Sequence, residues 1–313
     1  MRCREEPLEL RGPDDLTLRG ILTMPGGVTE RGNGICMLLL PAGLKYRTGP
    51  HRFYVHLARK LAADGVTTLR MDTVGVGESD GDLPAAPVQE LRDSVEGGRF
   101  VRDALAGAAQ LRRRFRVRRV VLGGICGGAV TAQLAAAERP DLVAGVLSVN
   151  TSVGVSAAPS GPTPTRLRRN MHDYLAKLRS RAAWSRLLRG ESDFSAIGAT
   201  LSGLVSAPLS RIEALPAREA RASQLFLDSF GYLERAGIPH LMLFGGNDNR
   251  WFEFQDLVLG PELDGRRDGG SYRIRVIPDA NHELHLPEWQ ASALEQIREW
   301  FARFAEREVP AHA

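Results

Sequence analysis

VVLGGICGGAV, residues 120–130, sets an apolar run against a cluster of glycines with a cysteine at its centre. Val120–Ile125 reads as a buried strand, and the alanine-rich stretch after it reads as a helix stopped near Pro140. The turn between them has the spacing Gly124-x-Cys126-x-Gly128. In a strand–Gly-x-nucleophile-x-Gly–helix corner, the central side chain stands above the C-terminal edge of a sheet. A β-carbon at either flank would collide with the neighbouring strand or helix. The amide of the next residue, here Gly127, and the helix N-terminus then face the oxygen of a bound acyl group. Free cysteine also serves as a small buried hydrophobe, so its partners must decide between a nucleophile and a packing residue.

On both sides of this corner, strands and helices alternate. LELRGPDDLTLRGILTMP predicts an N-terminal antiparallel pair turning at Gly12-Pro13-Asp14. GICMLLLPAG is a continuous apolar strand closed by Pro41 and Gly43, and residues 51–65 carry Phe53, Leu57 and Leu61 at helical spacing. VTTLRMD is the next strand, one long helix is expected over 88–114, and LVAGVLSVN comes after the elbow helix as another buried strand. The pattern predicts an α/β fold, with a mostly parallel central sheet and helices on both faces. It breaks over 151–236, which is rich in Pro, Ser and Gly and then in arginine, and resumes with IPHLMLFGGNDN, YRIRVIP and a closing helix. The expected organisation is a core of 1–150 and 237–313 with a helical cap inserted at 151–236.

A thiol nucleophile needs a base and an acid to orient that base. In this architecture they follow the nucleophile in the order acid, then histidine, on loops after later strands. Asp248 stands beyond LMLF and His282 beyond IRVIP, so Cys126, Asp248 and His282 fit that order. His282 would take the thiol proton or pair with the thiolate, and Asp248 would fix the ring tautomer. Asp279, Glu283 and His285 are neighbours that could exchange roles with these. The loop PAGLKYRTGPHRFY succeeds the strand ending at Leu40, and its amide at Gly43 or Leu44 would complete an oxyanion hole with Gly127. Arg47, His51, Tyr174 and Trp184 are candidate substrate contacts, the last two from the cap.

Composition narrows the classes. Apolar content of 43% and charged content of 25% are those of a globular chain, and the net charge is +4. Three cysteines, Cys3, Cys36 and Cys126, do not suggest a disulfide framework. The opening residues have no apolar signal region, and no apolar run approaches the roughly 20 residues of a membrane helix. A cytoplasmic location is therefore expected, with no membrane span. The basic run LRRRFRVRR at 111–119 falls at a helix C-terminus, where cations complement the dipole. No nucleic-acid motif accompanies it, so no nucleic-acid partner is expected. Neither metal nor cofactor is called for.

These motifs carry a resemblance. DTVGVGES at 72–79 resembles the DxxGxGxS loop of α/β-hydrolases. More narrowly, GLKYRTGPHRF (43–53), GGICGGA (123–129) and HDYLAKLRSRAAWSRLLRGE (172–191) resemble the exosortase A system-associated hydrolases. The cysteine elbow is also similar to that of dienelactone hydrolase. The resemblance implies an α/β-hydrolase fold and carries no substrate with it; a small-molecule or carrier-bound acyl substrate is the expectation from the chemistry of the site. Thiolate chemistry suits an ester or thioester, with acyl transfer and acyl elimination as alternatives on the same constellation. A non-catalytic binding module on this fold is the rival from another class.

Overall fold

The computed structural model describes residues 3–26, 36–115, 120–154 and 222–308. Eight strands form one sheet: β1 (Arg4–Arg11), β2 (Thr17–Met24), β3 (Cys36–Leu40), β4 (Thr67–Met71), β5 (Val120–Ile125), β6 (Val143–Val149), β7 (His240–Gly245) and β8 (Tyr272–Ile277). Their order across the sheet is β1-β2-β4-β3-β5-β6-β7-β8. β2 is antiparallel to both β1 and β4, and every other pairing is parallel. The helices are α1 (Phe53–Ala63), α2 (Val88–Glu96), α3 (Val101–Phe115), α4 (Gly127–Glu138), α5 (Gln224–Arg235), α6 (Asn249–Phe254) and α7 (Pro287–Glu308).

The apolar runs alternate between two faces, as strands covered on both sides must. In β3, Cys36, Leu38 and Leu40 join a cluster with Ala104, Leu111 and Leu134 of α3 and α4. Met37 and Leu39 turn to the other side, where Phe53, Leu57 and Leu61 of α1 meet Ile297 and Trp300 of α7. The chain runs from β3 out to β4 and then crosses back to β5 on the other side of β3. The C-terminal ends of β3 and β5 therefore flank the switch point at which open α/β sheets bind ligands.

Two expectations are revised. The long helix over 88–114 is two helices, α2 and α3, separated at Gly97-Gly98, where Gly98 adopts φ +96. The break turns the end of α2 toward the elbow: an ideal β-carbon on Gly127 would lie 2.8 Å from Val95 Cγ1. The segment assigned to the cap also gives residues back to the core. Met1–Val155 and Ala222–Ala313 form one compact unit. In it, α5 packs on α4, with Gln133 Nε2 donating to Phe226 O (3.0 Å) and Ser229 Oγ (2.8 Å). The rest of the expected helical cap, with Tyr174 and Trp184, lies outside the described residues.

Asp103 of α3 is buried and its Oδ2 accepts the Val74 amide at 2.8 Å, tying α3 to the loop after β4. Burial pushes its carboxyl up to about 6, against the pull of that amide and of Arg102 and Arg99. A folded-state pKa above the unfolded value contributes stability below about pH 4 and loses it as pH rises through about 6. Asp103→Asn keeps an acceptor for Val74 and removes the charge. Thermal melts should show the variant stabilised by a few degrees at pH 7–8, with the gain vanishing near pH 4.

Candidate active site

β5 delivers its end residue to α4 through a single strained corner. Cys126 has φ 54 and ψ −117, outside the regions that a non-glycine residue favours. Its amide donates to Val149 O at 2.9 Å, and its carbonyl accepts from Ala129 (3.0 Å) and Val130 (3.2 Å), so the surroundings hold the corner. The flanking glycines are required by contact. A β-carbon on Gly124 would lie 2.5 Å from the Gly128 carbonyl carbon, and one on Gly128 would lie 2.6 Å from Leu40 O. The side chain of Cys126 is left partly exposed above the sheet edge.

His282, beyond β8, bonds through Nδ1 to Oδ2 of buried Asp248 at 2.8 Å. Asp248 is the N-cap of α6 and accepts the Arg250 amide on Oδ1 at 3.2 Å, so its two oxygens have fixed and separate partners. His282 also hydrogen-bonds the Cys126 thiol. Burial alone would raise the thiol pKa. The His282 bond and charge, the Arg250 charge and the Gly127 amide outweigh it and hold the thiol below its ordinary value. For the imidazole, burial works downward, but the bonds to Asp248 and Cys126 bring it up to about 10. Each group thus favours the charged form of the other, the imidazole drawing the thiol toward thiolate and the thiol drawing the imidazole toward imidazolium.

The structure brings Cys126, His282 and Asp248 together and sends Glu283 and His285 elsewhere. Glu283 faces Lys45 and, at 3.2 Å, His51 Nε2, so His51 lies on an exposed rim. His285 bonds Asn281 at 2.8 Å and meets the Trp289 ring edge-on at 5.0 Å. Arg47 is bound by Asp72, which also accepts the Arg47 amide at 2.7 Å. Its guanidinium thus fixes the loop after β4. Gly43 is beside the elbow: its nitrogen would lie 3.3 Å from a β-carbon on Gly127. The side chain of Leu44 packs against the cluster of Val76, Val95 and Phe100. Among the described residues, neither the Gly43 nor the Gly127 amide donates to a backbone carbonyl.

Two residues have supporting roles that the sequence reading did not assign to them. Asn150, at the end of β6, donates from Nδ2 to His282 O (2.8 Å) and accepts the Gly245 amide on Oδ1 (2.7 Å). It thereby ties the acid's strand to the base's loop. A carboxylate there could accept but not donate, which gives a physical reason for an amide at this position. Arg250 pairs with Glu253 at 2.9 Å and with Glu96 at 3.9 Å, and its charge acts on the thiol. Only its place two residues after Asp248 could have flagged it. Among the described residues, no three His, Cys, Asp or Glu side chains form a metal-ligand cluster, and no helix is long and apolar enough to cross a membrane.

An eight-stranded, mostly parallel sheet with a strained nucleophile elbow at its switch point defines an α/β-hydrolase. Residues 49–249 match the family described as serine aminopeptidase, S33, and the chain belongs to that family, making it a hydrolase; where the description names serine, its elbow carries Cys126. Solved structures of the same fold include a dienelactone hydrolase from Anabaena variabilis (17% identity, 97% of this chain and 99% of that one, TM-score 0.55). Est1E from Butyrivibrio proteoclasticus, with ferulic acid bound, is similar too (15% identity, 94% and 98%, TM-score 0.54). So is an α/β serine hydrolase homologue from Coxiella burnetii (17%, 95% and 96%, 0.53). No curated protein matches the chain in sequence.

The thiols should separate cleanly. Burial pushes Cys36 up to about 12, so it should stay unmodified by iodoacetamide at neutral pH. The Cys126 rate should reach its plateau at lower pH than that of an ordinary thiol, which gains thiolate only near pH 8.5. Arg250→Gln should move the Cys126 profile to higher pH. Peptide mapping after labelling at several pH values reads both; labelling of Cys36 before Cys126 would contradict the assignment.

Proposed function

We propose that the chain is a cysteine-nucleophile hydrolase of esters or thioesters, working through Cys126, His282 and Asp248 and an acyl-enzyme. One observation carries the reading: a partly exposed thiol on a strained elbow, bonded to an imidazole that a buried carboxylate orients at 2.8 Å. The thiolate Sγ adds to the acyl carbon, and the carbonyl electron pair moves onto oxygen, toward the Gly127 and Gly43 amides. Collapse of this adduct expels the alcohol or thiol, which takes its proton from His282 Nε2, leaving a thioester on Cys126. His282 then accepts a proton from water as the oxygen attacks the thioester. Cys126 leaves as thiolate and the acid is released.

The resemblance to exosortase A system-associated hydrolases and to dienelactone hydrolase supports the use of cysteine. A cytoplasmic, small-molecule or carrier-bound acyl compound is the substrate class in this reading. Acyl transfer would differ only in the acceptor that relieves the acyl-enzyme.

Intact-mass measurement after mixing with a panel of acyl thioesters and activated esters tests it. The expected result is an acyl mass on Cys126 that is absent in Cys126→Ala and decays in water. Decay only on adding an amine or alcohol would name a transferase, and turnover by the alanine variant would refute the nucleophile. Asp248→Asn should remove the group that holds His282 up near 10, so less imidazolium faces the thiol at pH 7. Acylation at pH 7 should fall by about tenfold or more, with its pH profile moved upward. An unchanged profile would make Asp248 a helix cap alone.

A further inference from the structure

The Tyr54 hydroxyl occupies an unusual place. Its oxygen accepts the Ile125 amide at 2.7 Å and donates to Leu40 O at 2.8 Å. Leu40 ends β3 and Ile125 ends β5, and these strands are parallel neighbours whose last paired residues are Leu40 and Gly124. Continuing a parallel ladder would carry Ile125 N–H directly to Leu40 C=O. A phenol oxygen stands between them instead, so the two strand ends are held apart by a hydroxyl at the switch point. The side chain is fully buried, and burial raises its pKa, so the bridging group keeps its proton.

The bridge matters because of the residues just past each strand end. Two residues beyond Ile125 is the Gly127 amide, and three beyond Leu40 is the Gly43 amide. The oxygen that separates Leu40 from Ile125 therefore fixes the spacing of the two donors. The loop that carries Gly43 is wrapped on the same ring: the Tyr54 amide donates to Thr48 O at 3.2 Å, and a β-carbon on Gly49 would lie 2.8 Å from Tyr54 Cγ. We propose that Tyr54 is the positioning residue of the oxyanion hole, its hydroxyl acting as the spacer that sets the distance between the Gly127 and Gly43 amides. This rests on the hydrolase reading, because it assigns those amides to the acyl oxygen.

The test compares two reactions of one thiol. Alkylation of Cys126 by iodoacetamide breaks a carbon–iodine bond and develops no oxyanion, whereas acylation by p-nitrophenyl acetate does. In Tyr54→Phe the acylation rate constant should fall about 100-fold, the loss expected for one misplaced oxyanion donor, with half-saturation little changed. The alkylation rate should stay within about twofold of the parent. If Tyr54→Phe fails to fold, Gly49→Ala, which presses on the ring and keeps the hydroxyl, should lower the acylation-to-alkylation ratio in the same direction. Equal falls in both reactions would mean that the elbow itself is damaged, and an unchanged ratio in the variants would mean that the spacer is irrelevant; either overturns the proposal. A parent ratio no higher than that of a simple thiol would sink the hydrolase reading and this inference together. A high parent ratio that survives the substitutions sinks this inference alone.

Discussion

Backbone meets backbone where β5 turns into α4, and the rest of the site is arranged around that contact. Gly124 lies against the Gly128 carbonyl, and Gly128 against the end of β3, at distances that exclude any β-carbon. Because three chain segments share this small volume, the start of α4 brings the Gly127 amide to the crevice between β3 and β5. Cys126 pays for the approach with a positive φ, and its backbone bonds to Val149, Ala129 and Val130 hold it there. A larger residue at either glycine would displace the helix start, and with it the Gly127 amide that faces the thiol.

The charges above that contact form a chain. Asp248 is held by the helix it caps, His282 by Asp248, and the thiolate by His282, with Arg250 adding a second cation. Burial works against charge on both His282 and Cys126, and their partners work against burial. Asn150 keeps the loops of acid and base in register without adding charge, since an amide can donate and accept at once. The result is a thiol and an imidazole at the sheet edge that each favour the other's charged form.

Most of the architecture was legible because it is written in local patterns. The runs ending at Leu40, Ile125 and Val149 are apolar for almost their full length, as strands covered on both faces are, and the glycine spacing around Cys126 is set by steric contact. The order Cys126, Asp248, His282 comes from strand ends alone. The split of the helix at Gly97-Gly98 was missed because Leu91 and Val95 before it, and Ala104, Ala108 and Leu111 after it, each keep helical spacing, while the φ of Gly98 is a tertiary choice. Arg47 looked like a free cation in the oxyanion loop. Its partner, Asp72, belongs to the next strand end, a pairing that only the sheet order reveals. Asn150 and Tyr54 act through atoms far apart in sequence, so neither has a signature in its own neighbourhood.

β6 and β7 are hydrogen-bonded neighbours from Val146–His240 to Val149–Leu243, yet residues 156–221 separate them in the chain. A ribosome delivers the elbow and its thiol well before it delivers Asp248, and His282 later still. During that interval β6 ends the sheet as an exposed strand, open to pairing with other chains. Closing so long a loop also costs entropy before β7 can dock and offset it. The nascent thiol meanwhile lacks the His282 and Arg250 charges that lower its pKa in the folded chain. Vectorial synthesis therefore brings Cys126 its charged partners only when the last two strands have joined the sheet, and it leaves β6 as the edge most exposed to misassembly on the way.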